Sequence, residues 1–167
     1  MSKPNSTLSA ERCRDLLNYD PETGTMTLRV KTSIRTPAGT LVGSDSGRGY
    51  LRSRLDGVTY RVHRLVWLWV YGEWPCGELD HINGDKTDNR IANLRDVSRG
   101  TNNQNLKGAQ RNNRSSGLLG AYRKGVRWQA QIMVNGVGTT LGTFDTPEEA
   151  HAAYLEAKRL FHPGCTI

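Results

Sequence analysis

Residues 78–105 read ELDHINGDKTDNRIANLRDVSRGTNNQN and hold the side chains best suited to breaking bonds. Asp80 and His81 sit side by side ahead of a turn signal, Asn83-Gly84-Asp85. Two amides follow, Asn93 and Asn102. Asp80 offers a hard oxygen ligand to a divalent cation, and Asn102 offers a second. His81 titrates near neutral pH and can take a proton from water. Phosphodiester hydrolysis asks for these parts: a base for the water, and a cation for the charge that builds on the phosphorane and the leaving oxygen. Asp-His pairs are common, however, and a lone histidine is more often a satisfied structural residue. Asp85, Asp88 and Asn89 read as turn formers and caps, and their spacing misses that of a calcium loop.

Such side chains need elements to hold them. Ser9 caps a short helix with Glu11 in its first turn and Leu16 and Leu17 on one side. Residues 20–24, DPETG, read as a turn. Residues 25–30, 49–55 and 58–62 read as strands, with a glycine-rich, bent stretch between the first two. Val62, Leu65, Val66, Trp69 and Val70 follow helical spacing, so a helix is expected over 63–71, closed by Gly72-Glu73-Trp74-Pro75. That spacing assigns Trp67, Trp69 and Trp74 to the core rather than to base stacking. Residues 79–82 form a short apolar segment around Asp80 and His81, and Ser98 can cap a helix running to Asn105.

Charge bounds the partner. The chain has 167 residues and a formal net charge of +7. No acidic residue lies between Asp96 and Asp145, a stretch holding Arg99, Lys107, Arg111, Arg114, Arg123, Lys124 and Arg127. A second basic stretch carries Arg29, Lys31, Arg35, Arg48, Arg52 and Arg54 against Asp45 alone. Segments of one sign attract a polyanion, because each phosphate contact releases condensed counterions. Charge alone does not separate DNA from RNA, but there is little aromatic stacking surface for RNA. The three cysteines, Cys13, Cys76 and Cys165, lie far apart with no C-x-x-C pair. They read as isolated reduced thiols, with no structural zinc. No apolar run suits a membrane span or a signal peptide, so no membrane partner and a cytoplasmic location are expected.

The last fifty residues form a unit of their own. Strands are expected over 118–123, 127–134 and 138–144, with Asn135-Gly136 as a type I′ hairpin turn. A helix then starts at Thr146-Pro147, with Ala150, Ala153, Tyr154, Ala157 and Leu160 as its apolar face. Trp128, Ala130 and Ile132 should face that helix, and Gln129, Gln131 and Met133 the other side. Residues 107–117 are basic, polar and poor in large apolar residues, so the linker is placed at 108–116, between domains at 1–107 and 117–167.

The motif RVHRLVWLWVYGEWP, followed by LDHINGDKTDNRIANLRDVSRGTNNQN, resembles the HNH homing endonucleases of phage genomes and group I introns. The turn DPETG and the strand GYLRSRL resemble that family's N-terminal region, whose strands touch DNA, here through Arg52 and Arg54. The resemblance implies a ββα-metal fold, with His81 as general base. It implies Asp80 and Asn102 as ligands of one divalent cation, and Asn93 as the residue that constrains the loop and orients His81. The last histidine of the motif is replaced by Asn102, which favours magnesium or manganese over zinc. His63 is expected as structural support near the site, and Asn105 as a supporting residue.

Residues 117–162, with WQAQI, LGTFDTPEEA and the AAY-x-x-A helix, resemble the APETALA/ethylene-response-factor type of DNA-binding domain. That resemblance implies a three-stranded antiparallel sheet backed by one helix and laid in the major groove. Tyr122, Lys124, Gln131, Met133 and Thr140 fall at its DNA-contacting positions. Gln129 shares their face, and Arg123 and Arg127 are expected at phosphates, together with Lys107, Arg111 and Arg114. The expected fold class is therefore α+β: a ββα-metal nuclease domain followed by a small sheet on one helix. The expected function is metal-dependent cleavage of double-stranded DNA by a monomer, encoded by a phage or mobile element and acting in a bacterial cell. The alternative is a DNA-binding regulator without catalysis, which would keep the basic sheet but need no Asp80–His81 pair.

Overall fold

The computed structural model describes residues 8–167, apart from Thr32, Arg35, Ser46, Arg48, Lys107, Gln110, Arg111, Asn112, Arg114, Pro163 and Ile167. The expected DNA contacts Lys107, Arg111 and Arg114 therefore lie outside the described residues. The chain divides into two compact units, Met1–Ser98 and Arg99–Ile167, a mixture of short helices and small antiparallel sheets. No helix of the described residues is long and apolar enough to cross a membrane.

The first unit opens with α1 (Ala10–Leu16), whose N-cap Ser9 accepts a hydrogen bond from the Arg12 amide. The helix ends at Leu17, expected inside it, which starts β1 (Leu17–Tyr19) instead. β1 pairs antiparallel with β2 (Met26–Leu28). A second sheet has the order β3 (Ser44–Asp45), β4 (Leu51–Leu55) and β5 (Val58–Arg61), all antiparallel. β5 runs straight into α2 (Val62–Tyr71), which Gly72 closes at φ 80°, a left-handed conformation that glycine adopts without a Cβ clash. Leu65, Val66 and Leu68 of α2 join Cys13, Leu16, Leu17, Met26, Leu28 and Val62 in one core. Trp67, Trp69 and Trp74 pack on this core as expected. The Trp69 and Trp74 indoles donate to the carbonyls of Leu17 and Leu8, so neither buries an unpaired N–H. Burial pushes the Cys13 thiol up to about 11, which makes it an inert core residue.

The third sheet of this unit is a two-stranded ribbon, β6 (Glu78–His81) against β7 (Leu94–Val97). A loop of nine residues and a single 3-10 turn, Ile91–Asn93, connects the strands. β7 is polar at its centre, and no strand is expected there from the sequence. It forms because it pairs with β6 residue for residue, His81 opposite Leu94 and Asp80 opposite Arg95.

The second unit begins with the short helix α3 (Arg99–Gln104) and continues to a three-stranded sheet, β8 (Ala121–Lys124), β9 (Arg127–Val134) and β10 (Val137–Phe144). The sheet order is β10-β9-β8, antiparallel throughout. Asn135 and Gly136 both have positive φ, as a type I′ turn requires. Thr146 caps α4 (Pro147–Phe161) in a capping box with Glu149. Ala150 and Ala157 are buried, but Leu160 is 79% exposed and leaves the expected apolar face. Leu160 falls on the flank of the stripe, near the end of the helix. Lys158 is buried instead, its ammonium donating to the Leu106 carbonyl at 2.5 Å. The amide of Gly164 donates to Gln104, and the Thr166 hydroxyl to Asn105. These bonds tie residues 104–106 to the C-terminal segment. The division between units accordingly falls before α3, ahead of the stretch 108–116 that composition marks as a linker.

Candidate active site

Asp80 and His81 close β6, and both are buried. The loop behind them is held by side-chain amides. Asn93 accepts from the Asn83 backbone amide at 2.9 Å, and donates to the Asn83 side chain at 3.0 Å and the Asp88 carbonyl at 2.8 Å. The Ile82 amide donates to the Asn93 carbonyl. Asn93 thus staples the two ends of the loop together. The amide on the His81 ring belongs to another residue, Asn89, whose Oδ1 lies 3.2 Å from His81 Nε2. Asn89 is 1% exposed, and its Nδ2 donates to the Thr87 carbonyl. That donation fixes the amide orientation and leaves Oδ1 to accept from Nε2–H. The His81 tautomer therefore carries its lone pair on Nδ1. Asn89 reads as a turn former in sequence, and the signal for its role is eight-residue spacing from His81 across the loop.

An aromatic cluster backs the ring. His63, on the first turn of α2, meets His81 edge to face at 5.2 Å between centroids. Tyr50 lies 5.3 Å from His63 and 6.0 Å from His81. Burial, with smaller contributions from His81, Arg61 and Arg64, holds His63 down at about 3, so it is neutral. Burial also lowers His81, against the opposing pull of Asn89, Asp80, Asp85 and Asp88. Two neutral rings in contact avoid the repulsion of two imidazolium ions. His63 thus lies in ring contact with His81; nothing in the sequence marked Tyr50.

Asp80 faces Arg95 across the ribbon, and Arg95 Nε and Nη2 donate to Asp80 Oδ2 at 2.9 and 2.7 Å. The carboxylate suits a hard divalent cation by its donor chemistry, with Oδ2 engaged by the guanidinium. Among the described residues no three of His, Cys, Asp and Glu gather as a metal site. A carboxylate and an amide, the pair expected here, would not form such a trio. Asn102 lies in α3 of the second unit and is half-buried. Asn105 follows that helix, buried, accepting from Thr166.

The expected DNA contacts fall on two sheet faces. Arg52 and Arg54 are exposed on one face of β4, opposite Arg61 and Thr59 of β5. In the second unit, Tyr122, Lys124, Arg127, Gln129, Gln131, Met133 and Thr140 share the face turned away from α4. Gln129 donates to Thr140, and Arg127 pairs with Asp145. Arg123 stands opposite Trp128, on the helix side by alternation, and turns its guanidinium to the Gly125 carbonyl. It therefore does not belong to the Gln129–Gln131 face.

Residues 60–104 match the family model described as HNH endonuclease. The matched span runs from β5 through α2, the Asp80–His81 strand and its loop, to α3. It supports a nuclease role for this chain. Comparison with curated proteins and with solved structures gives no match.

Proposed function

We propose that this protein is a divalent-cation-dependent DNA endonuclease of the homing type, with His81 as general base. The observation that carries this reading is the buried His81, held through Nε2 by Asn89 and backed by His63 and Tyr50. In this arrangement Nδ1 takes the proton of the attacking water, and the lowered basicity of the ring keeps it deprotonated at neutral pH. Asn93 and Asn89 keep the loop and ring in one geometry, so little reorganisation is needed at the moment of attack. Asp80 would hold one divalent cation, magnesium or manganese, and the sequence resemblance adds Asn102 as the second oxygen ligand. When bound, the cation supplies charge stabilisation at the phosphorane and the leaving oxygen.

The β8–β9–β10 face that carries Tyr122, Lys124, Gln131 and Met133 adds double-stranded DNA binding in this proposal. Its unit has nine basic against four acidic residues, a net +5, while the first unit has a net +2. A cleavage assay on plasmid DNA tests the reading. The wild type should cut with magnesium or manganese and stop in EDTA. His81→Ala should lose about 10²–10⁴-fold in rate while keeping DNA affinity. Full cleavage by His81→Ala, or cleavage in EDTA, would refute it. DNA binding without any cleavage would support the non-catalytic regulator instead.

A further inference from the structure

Two cations converge on the ring that backs His81. The Arg61 guanidinium carbon and the Lys86 ammonium each lie 4.8 Å from the centroid of Tyr50. Arg61 comes from the end of β5, and Lys86 from the loop between β6 and β7, so two separate segments bring charge to one point. The Lys86 stem runs beside Gly49, where a Cβ would stand 3.5 Å from Lys86 Cδ. Arg61 also faces Arg52 directly across the β4–β5 pair. Like charges directly opposite destabilise a sheet unless an anion answers them. Among the described residues no carboxylate forms an ion pair with Arg61 or Arg52. Cation–π attraction holds Arg61 and Lys86 over the Tyr50 ring.

We propose that Arg61 and Lys86, gathered on Tyr50, form a subsite for one backbone phosphate of the DNA strand, next to the phosphate attacked by the water that His81 deprotonates. The inference rests on the nuclease reading above and names a contact that reading does not assign. Tyr50 touches both the two cations and the His81 ring, so a phosphate seated there fixes the register of the strand over the base. Arg52 and Arg54, exposed on the same sheet face as Arg61, continue the positive track away from the site.

The test uses the full chain in EDTA, where binding is read without cleavage. The double variant Arg61→Gln, Lys86→Gln should flatten the slope of log affinity against log salt by about 0.9, the value for one phosphate. Arg61→Lys and Lys86→Arg, which keep the charges, should retain the wild-type slope. The second arm locates the contact with substrates carrying a single neutral methylphosphonate linkage. For the wild type, one linkage beside the cut should weaken binding when neutralised. For the double variant the same replacement should cost nothing further. An unchanged slope in a double variant that melts like the wild type overturns the subsite. A changed slope with no sensitive linkage beside the cut overturns its location. A wild type that cuts DNA but gives either result leaves the nuclease reading standing, whereas a wild type that neither binds nor cuts DNA takes both down.

Discussion

His81 depends on one amide more than on any neighbouring charge. Asn89 is among the most completely buried polar residues of the first unit, and its side chain connects the His81 ring to the Thr87 carbonyl. Replacing it with alanine removes the acceptor that selects the Nε2–H tautomer and leaves a buried donor unpaired. Asn89→Ala should therefore lower single-turnover cleavage by up to about 100-fold, since a base displaced by an ångström can cost that much. DNA affinity in EDTA should change little, because Asn89 is buried and uncharged. A variant that folds and cuts at the wild-type rate would remove Asn89 from the site. At this scale the sequence shows the Asp80–His81 pair and Asn93 plainly, because their types suit the chemistry. It hides Asn89 and Tyr50. An asparagine in a polar loop looks like a turn former, and a tyrosine after glycines looks like a loop aromatic. Only the pairing of β6 with β7 and the packing of α2 bring either one to the ring.

The ribbon and its loop are stabilised by short-range polar bonds rather than by a large apolar face. Asp88 is the hub of that loop: it takes Arg90 Nε and Nη2 at 2.8 and 2.6 Å and the Asn83 side chain at 2.7 Å. The Arg90 contact is the largest influence that holds its carboxyl down at about 2, below the usual value of about 3.9. A carboxyl depressed on folding contributes stability that is fully present above its unfolded pKa. That contribution is lost as pH falls through the folded value. Thermal stability should thus decline between about pH 4 and pH 2, and Asp88→Asn should show less of that decline while melting lower at pH 7. The two melting curves against pH check it; parallel curves would mean that Asp88 carries none of the acid sensitivity. The N-terminal turn bears on the same loop. Gly24 sits at φ 73°, and a Cβ there would come within 2.4 Å of the Arg90 backbone. The motif DPETG is legible as a turn from its residues, and so are α1, α2, α4, β5 and the Asn135-Gly136 hairpin. β7 is not legible, because residues 94–97 alternate weakly and become a strand only through their partner.

Each unit must stand on a modest core, and small domains bury too little surface to waste any of it. In the second unit Ala121, Ala130 and Ala150 form a buried cluster, with Trp128, Leu141, Phe144 and Ala153 packed around them, and Ile132 and Ala157 are buried as well. Small residues let α4 approach the sheet closely, and Gly120 lies directly under the Tyr154 ring. Such a core leaves little reserve for losing polar contacts. Composition suggests cutting this unit free near residue 116, where the sequence turns from linker to strand. The hydrogen bonds argue for a cut before α3. Lys158 is fully buried and gives its ammonium to the Leu106 carbonyl, Gly164 reaches Gln104, and Thr166 reaches Asn105. A fragment of residues 116–167 loses all three contacts and opens the Lys158 side chain to water. A fragment of residues 99–167 keeps them. Both fragments retain the face of Tyr122, Lys124, Gln131 and Met133. The longer one should fold cooperatively and bind double-stranded DNA with steep salt dependence, without cutting it. The shorter one should melt at a much lower temperature and bind only where it remains folded. Thermal melting and a salt titration of DNA binding on the two fragments decide the matter. Equal stability of the two would show that residues 99–115 are dispensable to this unit. Absence of DNA affinity in the longer, folded fragment would reassign its sheet to a protein partner.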